Sequence, residues 1–198
     1  MKPRLLELIA AEAKRAKNGE TAKITAKINS LQDKEIIEAL YKAAKQGVII
    51  RLNIRGICCL KTGKRKEAKN IEVVSIIDRY LEHARIFSFH HGGRPLVYIA
   101  SADWMTRNLD KRVELMIPIE DRPSKKRLIE ILNSAFKDNT NAFRILDNGS
   151  SQRIERAKGA KRFRMQEHLQ KQAHKAAKAS AHIRSTTFDP HTPAEPRP

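Results

Sequence analysis

The sequence predicts an α/β domain, a mixed sheet flanked by helices, followed by a basic, largely disordered tail. Three observations carry this. Segments with the 3.6-residue period of an amphipathic helix alternate with segments of two-residue strand period, joined by short connections. Two strand-like runs flank a turn at His90-His91-Gly92-Gly93. Beyond residue 150 apolar periodicity fades while basic residues and prolines accumulate. A chain of 198 residues suits one domain of roughly 100 to 150 residues plus an extension, so the domain is assigned to residues 1–150 and the tail to 151–198.

From the amino terminus, Leu5, Leu6, Ile9, Ala13 and Ala16 recur at helical spacing between Pro3 and Lys17, and Asn18-Gly19 ends the helix. Ala22, Ile24, Ala26 and Ile28 then alternate with Lys23, Thr25, Lys27 and Asn29, a strand with one apolar and one polar face. Ser30-Leu-Gln-Asp33 caps a second helix built on Ile36, Ile37, Leu40, Tyr41 and Ala44, which Gln46-Gly47 closes. Val48 to Ile54 is the next strand. It buries Ile50, Leu52 and Ile54, while Arg51, Asn53 and Arg55 take the other face, and strand, helix and strand together read as a βαβ unit. A basic loop from Lys61 to Lys69 leads to a strand at Ile71–Ile77. Gly63-Lys64 within that loop is not a nucleotide-binding P-loop, because Gly56 lies two residues too far upstream and Arg65 replaces the required Ser or Thr. After the hairpin come an edge or terminal strand at Val113–Ile119, limited by Pro118, and a helix from Pro123 to Lys137 with Leu128, Ile131, Leu132 and Ala135 on one face. In the tail, Ala160 to Ala181 forms a fraying helix and Ser185 to Pro198, with four prolines, is disordered.

Forty Lys and Arg against 22 Asp and Glu give a formal charge of +18, so the surface favours a polyanion: nucleic acid, an anionic membrane or a phosphate polymer. The tail contributes eleven of the basic and four of the acidic residues, and offers a second route to nucleic acid. The adjacent Cys58 and Cys59 cannot form an ordinary disulfide with each other and are too few for a metal cage, which points to core packing in a reducing compartment, the cytoplasm. No stretch approaches the roughly 20 apolar residues of a membrane span, and Glu7 and Glu12 interrupt the only leader-like run.

Chemistry concentrates between Tyr80 and Asp110. Residues two apart on a strand share a face, so a strand beginning at His83 projects His83 and Arg85 together, and the end of its partner projects Ser101 and Asp103. An imidazole, a guanidinium, a hydroxyl and a carboxylate meeting across the ladder would suit phosphate chemistry. Salt bridges that merely brace a hairpin are the competing reading. Lys27 and Asn29, on one side of the first strand, and Arg55, at the end of the second, are further candidates. Trp104 and Tyr98 fit a core better than a base-stacking platform.

Six segments, in order, resemble one family: Ala26-Lys-Ile-Asn29-Ser-Leu-Gln-Asp33, Ile36-Ile-Glu-Ala-Leu-Tyr41, Ile54-Arg55-Gly-Ile-Cys-Cys59-Leu, Tyr80-Leu-Glu-His83-Ala-Arg85, Ser101-Ala-Asp-Trp-Met105 and Arg107-Asn-Leu-Asp110. They resemble the carboxy-terminal, second catalytic domain of bacterial polyphosphate kinase, of the phospholipase D-like fold group, over roughly Leu5 to Leu169. The resemblance implies reversible transfer of the terminal phosphate of ATP to inorganic polyphosphate, with Mg2+. It implies that Arg55 contacts the nucleotide's phosphates and that His83 is the family's second essential histidine. Lys27, Asn29, Arg85, Ser101 and Asp103 are weaker pocket candidates from strand-face reasoning, and the magnesium ligands are unknown. Family members carry amino-terminal, helical and first catalytic domains ahead of this one, and the phosphorylated histidine lies in the last of these. A partner chain or second copy is therefore expected to complete the site. Two alternatives stay open: a non-catalytic binder of polyphosphate or nucleic acid, and a homodimeric phospholipase D-like phosphodiesterase, although the latter's usual His-x-Lys and Ser-x-Asn pairs are here His83-x-Arg85 and Ser101-x-Asp103.

Overall fold

A computed structural model describes residues 1–62 and 68–180. Its elements in chain order are α1 (Lys2–Lys17), β1 (Lys23–Ile28), α2 (Lys34–Lys45), β2 (Ile49–Ile54), β3 (Ile71–Ile76), β4 (Arg85–Phe89), β5 (Leu96–Ala100), α3 (Thr106–Lys111), β6 (Met116–Pro118), α4 (Arg122–Ala135), β7 (Ala142–Ile145), β8 (Ser151–Arg153) and α5 (Met165–Ser180). The strands form one mixed sheet of order β6-β5-β4-β1-β2-β3-β7-β8. β1, β2 and β3 are parallel, whereas β4, β5 and β6 run alternately antiparallel on one side and β7 and β8 on the other. β1 and β2 therefore lie at the centre of the sheet, with the β4–β5 hairpin beside β1.

Helices cover both faces. Leu5, Leu8 and Ile9 of α1 and Ile36 and Leu40 of α2 pack on Ile24, Ala26, Ile50 and Leu52. On the other face Leu132 of α4 packs on Ile86 and Val97, and Ala135 and Met165 meet Val74 and Ala142. This corrects the two-faced reading of β1. Its polar side does not meet water: Thr25 and Lys27 are buried beneath α4 and its neighbours, and burial of the Lys27 ammonium is offset by an ion pair to Glu82 at 3.0 Å.

Several local predictions hold for the reasons given. Asp33 is the N-cap of α2, its Oδ1 accepting from the backbone N–H of Ile36 at 3.1 Å. The hairpin register pairs Arg85 with Ala100 and Phe89 with Leu96, and its turn holds His91 and Gly92 at positive φ. Trp104 and Tyr98 are core residues, Trp104 packing against Phe87 with the rings tilted by 43° and their centroids 5.2 Å apart.

Others are corrected. β4 begins at Arg85, not His83, because residues 77–84 pair with no neighbouring strand. β6 keeps only Met116–Pro118 of the expected Val113–Ile119, since Ser101 engages both backbone groups of Leu115 and Val113 is fully exposed. Cys58 packs against the core as expected, half-buried, and burial pushes its thiol up to about 11, but Cys59 is exposed and does not. Past residue 150 the chain still contributes to the fold through β8, on the rim of the sheet, and through the buried Met165. α5 starts at Met165 rather than Ala160. Residues 63–67 of the expected Lys61–Lys69 loop, and the Ser185–Pro198 stretch expected to be disordered, lie outside the described residues.

Candidate active site

The parallel run of β1, β2 and β3 sends three chain segments out at one end of the sheet, and the antiparallel β4 and β5 bring the start of one strand and the end of another to the same end. Four loops meet there: residues 29–33, 55–60, 77–84 and 101–105. Backbone pairing knits three of them, 29–33, 55–60 and 101–105, together. Gly56 N–H donates to Asn29 O at 2.8 Å, Leu31 N–H to Ile57 O at 2.8 Å, Cys59 N–H to Leu31 O at 2.8 Å, and Gln32 and Asp33 N–H both to Trp104 O. Gly56 has a steric reason to be glycine: a Cβ there would lie 2.8 Å from Asn29 O and 3.0 Å from Ser30 Oγ.

On this platform the side chains form a relay. Arg55 Nε donates to Asn29 Oδ1 at 2.6 Å. Asn29 in turn donates its backbone N–H (2.7 Å) and its amide Nδ2 (3.3 Å) to Asp103 Oδ1, which also accepts from Ser30 N–H at 3.2 Å. Arg85 completes a two-pronged pair with Asp103, Nε to Oδ1 at 3.2 Å and Nη2 to Oδ2 at 3.0 Å. The same guanidinium reaches His83, with Nη1 3.1 Å from Nδ1 and Nη2 3.2 Å from Nε2. A neutral imidazole has one acceptor nitrogen, so one of these contacts is a hydrogen bond and the other a close approach. Burial alone pushes the Asp103 carboxyl up. The Arg85 guanidinium and the Asn29 and Ser30 N–H groups outweigh it and hold the group below the usual carboxylate range.

The relay leaves two groups facing outward. Arg55 is half-buried, and among the described residues its terminal guanidinium nitrogens make no hydrogen bond. His83 is exposed. The site is thus an open shelf with a fixed cation at one end and an imidazole at the other, suited to holding the oxygens of an anion and to moving a proton.

A family model described as polyphosphate kinase C-terminal domain 2 matches residues 1–166. The chain belongs to that family. It is 47% identical over 193 residues to a polyphosphate kinase of Rhodopirellula baltica, covering 98% of this chain and 23% of that protein. A polyphosphate kinase of Synechocystis is 47% identical over 150 residues, 76% of this chain and 21% of the relative. The crystal structure of polyphosphate kinase from Porphyromonas gingivalis superposes with a TM-score of 0.86 at 36% identity, over 90% of this chain and 27% of that one. The chain spans about a quarter of the length of the polyphosphate kinases it matches.

Within this polyphosphate kinase domain the structure brings together Arg55, Asn29, Asp103, Arg85 and His83. Lys27 stands beside them, joined through Glu82. Ser101 turns away, contrary to the strand-face argument. The strand ends at Ala100, and the Ser101 hydroxyl donates instead to Glu114 Oε2 while accepting from Leu115 N–H at 2.9 Å. That hydroxyl and the Asn108 amide hold the Glu114 carboxyl below its usual range. His83 reaches Arg85 from an irregular loop, not from a shared strand face. Sequence reasoning missed Glu82 as the counterion of Lys27, although it sits inside the Leu-Glu-His segment. It also missed Gln166, which bonds that same segment from the start of α5. Among the described residues no group of three or more His, Cys, Asp or Glu side chains converges as metal ligands, and at the shelf Asp103 is paired with Arg85 and Glu82 with Lys27. Among the described residues, then, no magnesium cage is built from protein side chains alone.

Proposed function

We propose that the shelf is the phosphate-handling half of an ATP:polyphosphate phosphotransferase, reversibly moving the terminal phosphate of ATP to inorganic polyphosphate. The observation that carries this reading is the relay from Arg55 to His83: a guanidinium clamped at Nε whose terminal nitrogens have no hydrogen-bond partner among the described residues, and an exposed imidazole backed by Arg85. Phosphoryl transfer asks mainly for positioned cations that take up charge on the transferred group. Arg55 holds phosphate oxygens, and Lys27 adds positive potential beneath the shelf. His83 contributes a proton or an electrostatic contact at the bridging oxygen, whose bond to phosphorus breaks as the carrier histidine's nitrogen–phosphorus bond forms; that bond breaks in turn as a terminal oxygen of polyphosphate takes the phosphate. The net charge of +18 gathers the polymer.

The histidine that carries the phosphate comes, on this reading, from a complementary half, whether a partner chain or a second copy. An apolar strip is the docking surface for that half: Ile99, Val113, Leu115 and Ile117 are exposed along the β6 rim, beside the Ser101–Glu114 pair. No helix among the described residues is long and apolar enough to cross a membrane, and with two free cysteines we place the reaction in the cytoplasm.

The test is transfer of labelled phosphate between ATP and polyphosphate, measured for the wild-type chain, Arg55→Ala and His83→Ala, each mixed with a family member lacking this domain. Each substitution should reduce transfer by about 100-fold or more. Polyphosphate binding that persists with no transfer by the wild-type mixture would instead make the chain a binding module.

A further inference from the structure

We propose that Gln166, at the start of α5, is a positioning residue that holds the His83 segment against the shelf; its catalytic meaning rests on the phosphotransfer reading above. Residues 77–84 link β3 to β4 with no strand or helix of their own, and their large apolar side chains, Ile77 and Leu81, point to solvent. Packing therefore does little to fix this loop. What fixes it is polar and comes from 86 positions along the chain. The buried Gln166 side chain accepts from Tyr80 N–H at 2.7 Å and donates to Tyr80 O at 2.8 Å, so one amide satisfies both backbone groups of one residue, as a neighbouring strand would. The same Nε2 donates to Glu82 Oε1 at 2.8 Å, while Glu82 Oε2 pairs with Lys27 Nζ at 3.0 Å.

The anchor is itself anchored. Arg164 grips Asp78 at the other end of the loop, Nε to Oδ2 at 2.8 Å and Nη2 to Oδ1. Asp138 Oδ2 accepts from the backbone N–H of the buried Met165 at 2.7 Å. The first turn of α5 is thus a rigid bracket with two prongs, at Asp78 and at Tyr80–Glu82, and His83 is the next residue after the second. Through Glu82 the bracket also sets where the Lys27 ammonium stands. A glutamine serves both purposes because it offers a donor and an acceptor in one plane with no charge of its own.

The experiment uses the full chain as wild type, Gln166→Ala, Gln166→Glu, His83→Ala and the Gln166→Ala/His83→Ala double variant. Gln166→Glu retains the shape and the acceptor for Tyr80 N–H but loses the donor and sets a like charge against Glu82, so it serves if the alanine variant is poorly folded. Two quantities are read: amide hydrogen exchange of residues 79–84 against that of β1 and β2, and affinity for polyphosphate. Loss of these bonds should speed exchange in the loop by about ten-fold or more, with the strands unchanged. His83→Ala should weaken polyphosphate binding less in the Gln166→Ala background than in wild type, because the imidazole is then already misplaced. Unchanged loop exchange in both Gln166 variants overturns the bracket, and strictly additive effects on affinity overturn its role in placing His83. A wild-type chain that binds no polyphosphate removes the phosphotransfer reading and the catalytic meaning with it, while the exchange data still decide whether Gln166 holds the loop.

Discussion

Asp103 is the residue on which the shelf turns, because its two oxygens collect the donors of Asn29, Ser30 and Arg85. Removing its charge leaves the largely buried Arg85 guanidinium without its counterion, so Asp103→Asn should cost about 3 kcal/mol at neutral pH in urea unfolding. The sign of the pH dependence follows from the lowered carboxyl. Its stabilisation is complete above the ordinary aspartate value of about 3.9 and is lost as pH falls through the lower folded value. The gap between wild type and variant should therefore close on acidification; a gap that stays constant would show that the charge is not what matters. Asn29, Arg55 and Arg85 were legible in the sequence as residues at strand ends, and His83 and Asp103 through their motif segments, although both lie in loops rather than on the strands. Ser101 was misplaced because its partner depends on where β6 begins, and alternation cannot locate the last hydrogen-bonded residue of an edge strand. Gln166 gave no signal at all, lying in a stretch with the composition of a tail.

Among elements, the connection from β2 into residues 55–60 governs the shelf most directly. A methyl group at position 56 would have to push back the backbone carbonyl that Gly56 itself bonds, and with it Asn29, which clamps Arg55. Gly56→Ala should lower stability by about 1 to 3 kcal/mol and weaken ATP binding, checked by denaturant unfolding and by titration with a non-hydrolysable analogue. A variant that folds and binds as wild type would mean that the two loops separate easily. Asp33 plays a comparable part on the helical side, capping α2 while also meeting Lys2 of α1 at 2.9 Å and Thr106 of α3 at 3.1 Å. The helices α1 and α2 announced themselves through period and caps, and β1 and β2 through alternation. The six-residue α3 and the short β7 and β8 did not, because six residues span fewer than two helical turns and three or four alternate too briefly to stand out from a loop.

At the scale of the molecule, positive charge and the apolar rim make separate predictions. Polyphosphate affinity should fall steeply and log-linearly with salt, since the polymer sheds counterions on binding; a salt-insensitive affinity would put recognition in the shelf alone. Leu115→Asp combined with Ile117→Lys should leave unfolding unchanged, as both side chains are exposed, but abolish phosphate transfer in the mixed assay. Retained transfer would move the docking surface elsewhere. The alternation of helix and strand made the α/β architecture legible, whereas the burial of both faces of β1 was not, because covering its polar side depends on α4 far along the chain. Those distances also bear on the order in which the protein can mature. Asn29 meets Asp103 across 74 positions and Tyr80 meets Gln166 across 86, so the closing contacts are among the least local and the slowest to form. A nascent chain emerging from the ribosome can complete β1 and β2 early, yet its histidine loop gains its bracket only once residue 166 has been synthesised and released.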